Sequence, residues 1–271
     1  MELLNPPLII LKNKSQFTIK KRPSSICKSP YVADVEETDE LVHAPSLSCG
    51  GLVDKGEKVI CSKKSGSGKC KHLVQLGYDN ESSVFVSTNP LLANKIANSI
   101  LLNKMLKFPF NYNREDIQPE CTIGNSRFDF VIQNSDTKYI IEVKAVPIAI
   151  YENLSVKEYI KNDYSNFNTN EKIAVFPIGY RKSKNHPISE RAIKHLDELG
   201  DNLESGNAKY ACCLFIVGRD DVISFQPAKE DQFYVAAIKK AISRGVKIRA
   251  IKMKWIDGKC YFNGELPVII D

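Results

Sequence analysis

The spacing of apolar and polar residues changes character partway along the chain. Up to about Leu76 the apolar runs are short and β-like. Phe17 to Ile19, Tyr31 to Val35, Glu40 to His43 and Glu57 to Cys61 are each broken by Pro, Gly, Ser or charged residues, and Ser65 to Gly68 reads as a loop. No stretch there has the length or the 3.6-residue period of a helix, which predicts a small β-barrel or sandwich. Beyond Asp79 and Asn80 strands and helices mix. Ser83 to Thr88 predicts a strand, and Pro90 opens a helical pattern through Ile96, Ile100, Leu101 and Met105. Strands over 126–132 and 138–146 follow, then a polar, mobile connector over 152–170 and a strand over 172–177. A helix from Pro187 carries the stripe Ile188, Ala192, Leu196 and Leu199, with Gly200 as its expected stop. Ala211 to Val217 is continuously apolar, as a strand covered on both faces would be. A last helix over 232–244, stopped by Gly245, leads to a strand over 246–255. The expected fold is α/β or α+β, with a β domain over 1–80 and a mixed domain over 81–271.

Composition narrows this picture only a little. Within 271 residues, 38 Lys and Arg against 32 Asp and Glu give a net charge of +6, which permits a polyanionic partner without requiring one. The distribution says more: residues 236–256 carry seven basic side chains and no acid, and 55–71 and 181–195 are also rich in Lys and Arg. For any one such cluster a solvated face is the simpler account. Seven residues is the longest uninterrupted apolar run, which argues against a membrane-spanning helix. The first residues lack a secretory pattern, although six basic side chains against Glu2 in the first 30 leave an organellar presequence open. The eight Cys show no CxxC and no small-scaffold spacing, so an intracellular, reducing, cytoplasmic setting is expected. Cys61, Cys70 and His72 lack the second ligand pair that a structural zinc site needs.

Candidate chemistry concentrates in Ser126 to Ile132 and Tyr139 to Val146, two strands joined by the turn formers Asn134, Ser135 and Asp136. Alternation puts Arg127, Asp129 and Val131 on one face of the first strand, and Glu142 and Lys144 on one face of the second. A hairpin centred on the Ser135–Asp136 bond pairs residues whose numbers sum to 271, which sets Asp129 opposite Glu142 and Arg127 opposite Lys144. Two carboxylates across a ladder repel unless a cation lies between them. A hard ion, Mg²⁺ or Mn²⁺, would resolve the conflict, with Lys144 beside it to orient water or offset charge on a phosphate. An exposed strand face with an ordinary Glu–Lys contact fits the same pattern.

The order of motifs along nearly the whole chain resembles the sugar fermentation stimulation protein (SfsA) family. The motifs are Val32-Ala33-Asp34-Val35, the Pro45 to Gly51 turn with Leu52, Val53 and Gly56, Ser126-Arg127-Phe128-Asp129-Phe130, Glu142-Val143-Lys144, and Phe176-Pro177. Ser189-Glu190-Arg191, Lys194-His195-Leu196, Phe225-Gln226-Pro227-Ala228, Asp231, Tyr234 and Arg244-Gly245-Val246 complete the series. The resemblance implies an OB-like N-terminal barrel and a restriction-endonuclease-like, PD-(D/E)xK C-terminal domain. It implies a DNA-binding protein with metal-dependent phosphodiester hydrolysis, DNA being favoured over RNA as partner. Asp129 and Glu142 would hold the Mg²⁺ or Mn²⁺, Glu120 would be a further acid, and Lys144 would stabilise charge or orient water. Arg127, Arg181, Lys182, Arg191, Lys194, Lys63 and Lys64 are the expected nucleic-acid contacts. His195 is either a proton carrier or a partner of Arg191 on the helix surface. The chain departs from the family at Asn98, matched to a helix position where Glu is common, and this keeps open a non-catalytic, DNA-binding regulatory protein with the same fold. A protein-interaction scaffold is a further alternative.

Overall fold

The computed structural model describes residues 6–47, 49–124, 126–151, 154 and 172–270; the expected connector over 152–170 lies outside them apart from Leu154. After β1 (Ile9–Ile10), five strands form a barrel: β2 (Lys14–Lys21), β3 (Val32–Val35), β4 (Leu41–His43), β5 (Lys58–Lys63) and β6 (Cys70–Asp79). β2 pairs with β3 and β5, β3 with β4, and β5 with β6, while a parallel β4–β6 pairing closes the ring. Closure removes the free edges that short strands would otherwise expose. Phe17, Ile19, Ala33, Val42, Val59, Cys61 and Val74 fill the interior. The four short runs legible in the sequence are β2 to β5. The ten-residue β6 was not, because its Cys, Lys, His and Gln interrupt the apolar pattern.

β7 (Val84–Ser87) pairs with the end of β6 and also meets the second domain. The Ser87 amide donates to the Gly218 carbonyl at 2.9 Å, and Trp255 Nε1 donates to Ser87 Oγ at 3.0 Å. Gly218 has to be glycine for this approach: a Cβ there would lie 2.5 Å from that of Ser87.

The rest of the chain runs through α1 (Leu91–Leu102), β8 (Ile117–Ile123), β9 (Ser126–Asn134), β10 (Thr137–Val146), β11 (Ala149–Tyr151), β12 (Lys172–Phe176) and α2 (Glu190–Glu204). It ends with β13 (Tyr210–Val217), β14 (Ser224–Pro227), α3 (Gln232–Ser243), β15 (Lys247–Ile256) and β16 (Lys259–Leu266). A seven-stranded sheet has the order β1-β16-β15-β13-β10-β9-β8, and β11, β12 and β14 form a small second sheet. β10, β13 and β15 are parallel at the centre, flanked by antiparallel strands. β13 is buried along all eight residues because both faces are covered, which is what its unbroken apolar run predicts. Leu92, Ile96 and Ile100 of α1 pack on one face against Ile141, Val143 and Leu214. Leu196 and Leu199 of α2 and Tyr234 and Ile238 of α3 pack on the other, against Phe128, Val131, Ile140 and Phe215.

Three details differ from the sequence reading. β1, numbered with the barrel, adds an edge to the large sheet beside β16. α2 runs through Gly200 to Glu204; the missing side chain instead makes room for the Arg244 guanidinium, whose carbon would lie 2.6 Å from a Cβ, and Gly206, at φ 74°, follows the helix end. β8 contains Pro119 and escaped notice, since an edge strand tolerates the missing N–H. Among the described residues no helix is long and apolar enough to cross a membrane.

Candidate active site

The site is built where a hairpin ladder ends. β9 and β10 pair in the expected register, from Asn134↔Thr137 to Phe130↔Ile141, and the next pair would be Asp129 and Glu142. The ladder stops short of it. Asp129 Oδ2 instead accepts from the Val143 amide at 2.8 Å, and its Oδ1 accepts from Asn94 Nδ2 of α1 at 2.7 Å. The strict alternation expected along β9 also fails here. Phe130 and Ile132 pack under α1, whereas Phe128 joins Val131 in the core under α2 and α3. A strand released from its partner can twist at this point, and the carboxylate occupies the gap.

Glu142 and Lys144 do share a face, and α2 brings His195 onto it. Glu142 Oε1 accepts from Lys144 Nζ at 2.6 Å and is bonded to His195 Nδ1, which lies 3.1 Å from the same ammonium. Glu142 is 2 % exposed, and its second oxygen, Oε2, is buried with no hydrogen-bond partner among the described residues. The two carboxyls are driven apart. Burial and then the charge of Glu142 raise Asp129 above its ordinary range, against the opposing donors Val143 and Asn94. Burial pushes Glu142 up as well, but the His195 hydrogen bond and the Lys144 ammonium outweigh it and hold Glu142 low. A pair split in this way gives one ionised carboxylate and one that takes up a proton more readily. The fit to a divalent ion rests on Glu142 Oε2: an orphaned, buried carboxylate oxygen beside a second carboxyl is an oxygen donor set suited to a hard cation that keeps most of its water. Among the described residues no group of three or more His, Cys, Asp or Glu is placed to hold a metal ion; Asp129 and Glu142 are the two carboxyls that could.

The other expected residues fall into three groups. Glu120 lies on β8 level with Asp129, between the Pro119↔Phe130 and Cys121↔Phe128 pairs, yet its side chain is exposed and bonded to Arg127. That ion pair occupies both side chains at the surface instead of completing the carboxylate pair. Arg191 and Lys194 are exposed on α2; Arg191 Nε approaches His195 Nε2 at 3.4 Å, and Lys194 pairs with Glu198 at 3.4 Å. Glu190, at the start of α2, pairs with Lys182 of the preceding loop at 3.7 Å. Arg181 turns inward, its guanidinium donating to the Glu230 carbonyl. Lys63 and Lys64 are exposed at the end of β5. Of the barrel aromatics, Phe17 is buried edge-on to His72, and Tyr31 is exposed beside His43.

Asn94 escaped the sequence reading, since Asn98 was the residue matched to the family position; the amide that reaches Asp129 comes from one turn earlier. His195, open in the sequence between a proton carrier and a partner of Arg191, keeps the Arg191 contact and adds a bond to Glu142, 53 residues away, which no local spacing shows.

Comparison with known proteins agrees with this architecture. A family model described as the sugar fermentation stimulation protein RE domain matches residues 91–156 and 167–259, more than half of the chain. A sugar fermentation stimulation protein homolog of Carboxydothermus hydrogenoformans is 29% identical over 94% of this chain and 100% of its own length. One from Syntrophotalea carbinolica is 26% identical over 89% and 92%. The solved structure of Pyrococcus furiosus SfsA in complex with Ca2+ superposes with a TM-score of 0.73 at 21% identity, covering 98% of this chain and 100% of that one, and so shares the barrel and the nuclease-like mixed sheet. The chain belongs to the SfsA family.

Proposed function

We propose that the protein binds DNA, with RNA as the second choice, and hydrolyses phosphodiester bonds with the help of a divalent ion. One observation carries this reading: Glu142 Oε2 is buried without a partner beside a second carboxyl whose protonation its charge favours. Burying a carboxylate oxygen with nothing to bond is costly, and natural folds keep such a group where something else binds. Mg²⁺ or Mn²⁺, held by Asp129 and Glu142, would supply positive charge for the phosphoryl oxygens. The Ca2+ complex of the Pyrococcus furiosus relative supports a divalent ion.

The chain's own residues have separable tasks. Asn94 and the Val143 amide fix Asp129 through both oxygens. His195 and Lys144 fix Glu142 through Oε1, leaving Oε2 free to bind. The Lys144 ammonium, partly exposed, is the group placed to orient a water molecule or offset charge on a phosphate.

A non-catalytic DNA-binding protein is the second reading, and Asn94 favours it: the side chain that α1 offers to Asp129 is a neutral amide rather than a third acid. The test is incubation of plasmid and single-stranded DNA with pure protein in Mg²⁺, Mn²⁺ or EDTA. Metal-dependent cleavage lost by about 100-fold or more in Asp129→Ala and Lys144→Ala is the expected result. Binding without cleavage, unchanged in those variants, would leave the regulatory reading.

A further inference from the structure

We propose that the loop over 178–188 is a landing site for single-stranded nucleic acid, with Tyr180 stacking on an unpaired base and Lys182 and Lys184 beside the flanking phosphates. This rests on the nucleic-acid reading above and narrows its substrate class.

Between Pro177 and Ser189 the sequence has Arg181, Lys182, Lys184 and His186 and no acid. Tyr180 is 85% exposed, the most exposed large hydrophobic side chain among the described residues. A lone exposed ring needs no explanation. This one stands in a cationic loop whose conformation is fixed from beneath. Asp231, fully buried, caps α3 by accepting from the Tyr234 amide, and it holds the loop at two places. Its Oδ2 accepts from the Ile188 amide at 2.7 Å, and its Oδ1 lies 3.9 Å from the Arg181 guanidinium, which also donates to the Glu230 carbonyl. Between these anchors a Ser183–His186 turn is closed by the His186 amide on the Ser183 carbonyl at 3.2 Å and by a side-chain contact of 2.8 Å. Arg181 is thus an anchor, and Tyr180, next to it, is held outward. A backbone anchored on either side loses little freedom when a base stacks on the ring it presents. Every base has a π face, so the contact is tolerant of sequence.

The stacking contact favours one strand over two. The loop leads into α2, whose outer groove is lined by Glu190, Asp197, Glu198 and Asp201, each ion-paired with Lys182, Lys194, Lys240 or Arg244. A base in a duplex has its faces covered by its neighbours in the stack, whereas an unpaired base in a single strand can turn one face to the Tyr180 ring. The loop also borders the candidate site. Lys182 reaches Glu190, the first residue of α2, and His195 follows five residues later on the same helix, about 7.5 Å along its axis.

The test is fluorescence anisotropy with the full chain in EDTA, using a labelled twelve-nucleotide oligothymidylate, the same strand with abasic sugars in its centre, and a twelve-base-pair duplex. Tyr180→Ala should weaken oligothymidylate binding about 5- to 100-fold, and Tyr180→Phe by no more than about twofold. The Tyr180→Ala loss should vanish on the abasic strand, and the duplex should bind more weakly than the single strand. Lys182→Ala with Lys184→Ala should make the salt dependence shallower by about one to two in log–log slope. Unchanged oligothymidylate affinity in Tyr180→Ala, or an equal loss on the abasic strand, overturns the stacking proposal while nucleic-acid binding stands. If the wild-type protein binds neither single strand nor duplex, both readings fall.

Discussion

Among the described residues, the charge clusters at the barrel junction and at the candidate site are built on opposite principles. At the junction of barrel and mixed sheet, Lys172 and Arg219 lie among Asp79, Glu81 and Asp221. Lys172, 0% exposed, donates to Glu81 at 3.1 Å and Ser82 Oγ at 2.6 Å, while Arg219 bonds both Asp79 and Asp221. Tyr151 adds its hydroxyl to Glu81. At the candidate site Lys144 and His195 crowd onto one oxygen of Glu142, the other oxygen has no partner among the described residues, and Asp129 is pushed toward protonation by burial and then by its neighbour Glu142. The first cluster is reciprocated and ties β6 and the following turn to β11, β12 and the segment after β13. The second is left incomplete. Buried charge serves structure where each group is answered and binding where one is not.

That contrast is most open to attack at Lys172. Lys172→Met removes the fully buried ammonium that lies among Asp79, Glu81 and Asp221 and should lower the unfolding free energy by about 3–5 kcal/mol in urea titration. A loss below about 1 kcal/mol would mean that the junction cluster does not hold the two parts together. The candidate site should respond instead to an added ion. Saturating Mn²⁺ at a hundredfold excess over its Kd should stabilise the wild-type protein by about 2.7 kcal/mol in thermal unfolding, and Glu142→Gln should abolish the shift. An equal shift in Glu142→Gln would put the ion elsewhere. The third effect is smaller: Asp129→Asn removes the repulsion from Glu142 but sets an NH2 against one of the two donors that Asp129 accepts from, and the two opposing changes should leave stability within about 1 kcal/mol of wild type while cleavage is lost. A clear loss of stability would place Asp129 in the structural class with Lys172.

The two clusters also differed in legibility. Asp129, Glu142 and Lys144 lie within 16 residues on two strands, so strand period and turn position were enough to set their register, and only the twist at Asp129 escaped. His195 and Asn94 arrive from helices that pack on opposite faces of the sheet, and a helical pattern states which residues are apolar without stating what the polar ones meet. The junction cluster was invisible for the same reason. Asp79, Glu81, Lys172, Arg219 and Asp221 are separated by up to 142 positions and lie in turns, on a strand and after a strand, with no shared motif. The barrel was legible as a class of fold, because its runs are short and punctuated, but its closure depends on the parallel β4–β6 pairing, which no local pattern encodes.

Acid titration separates the clusters through the sign of one carboxyl in each. Burial raises Asp221, but hydrogen bonds from Arg219, its charge, the Ser82 hydroxyl and Lys172 outweigh burial and hold it below its ordinary 3.8. Folding therefore favours the ionised form, so Asp221 contributes stability above pH 3.8 that is lost as the pH falls through its lowered value. Asp129, raised above 3.8 by burial and Glu142, works in reverse: its contribution is full below pH 3.8 and is lost as the pH rises through the raised value. Unfolding free energy measured in urea from pH 3 to 7 should thus show Asp221→Asn flattening the acid limb below about pH 4, and Asp129→Asn removing a decline on the neutral side of it. The two variants should move different parts of the curve. If Asp129→Asn flattened the acid limb as Asp221→Asn does, Asp129 would be stabilised as an anion, and the incomplete cluster would already be complete without an ion.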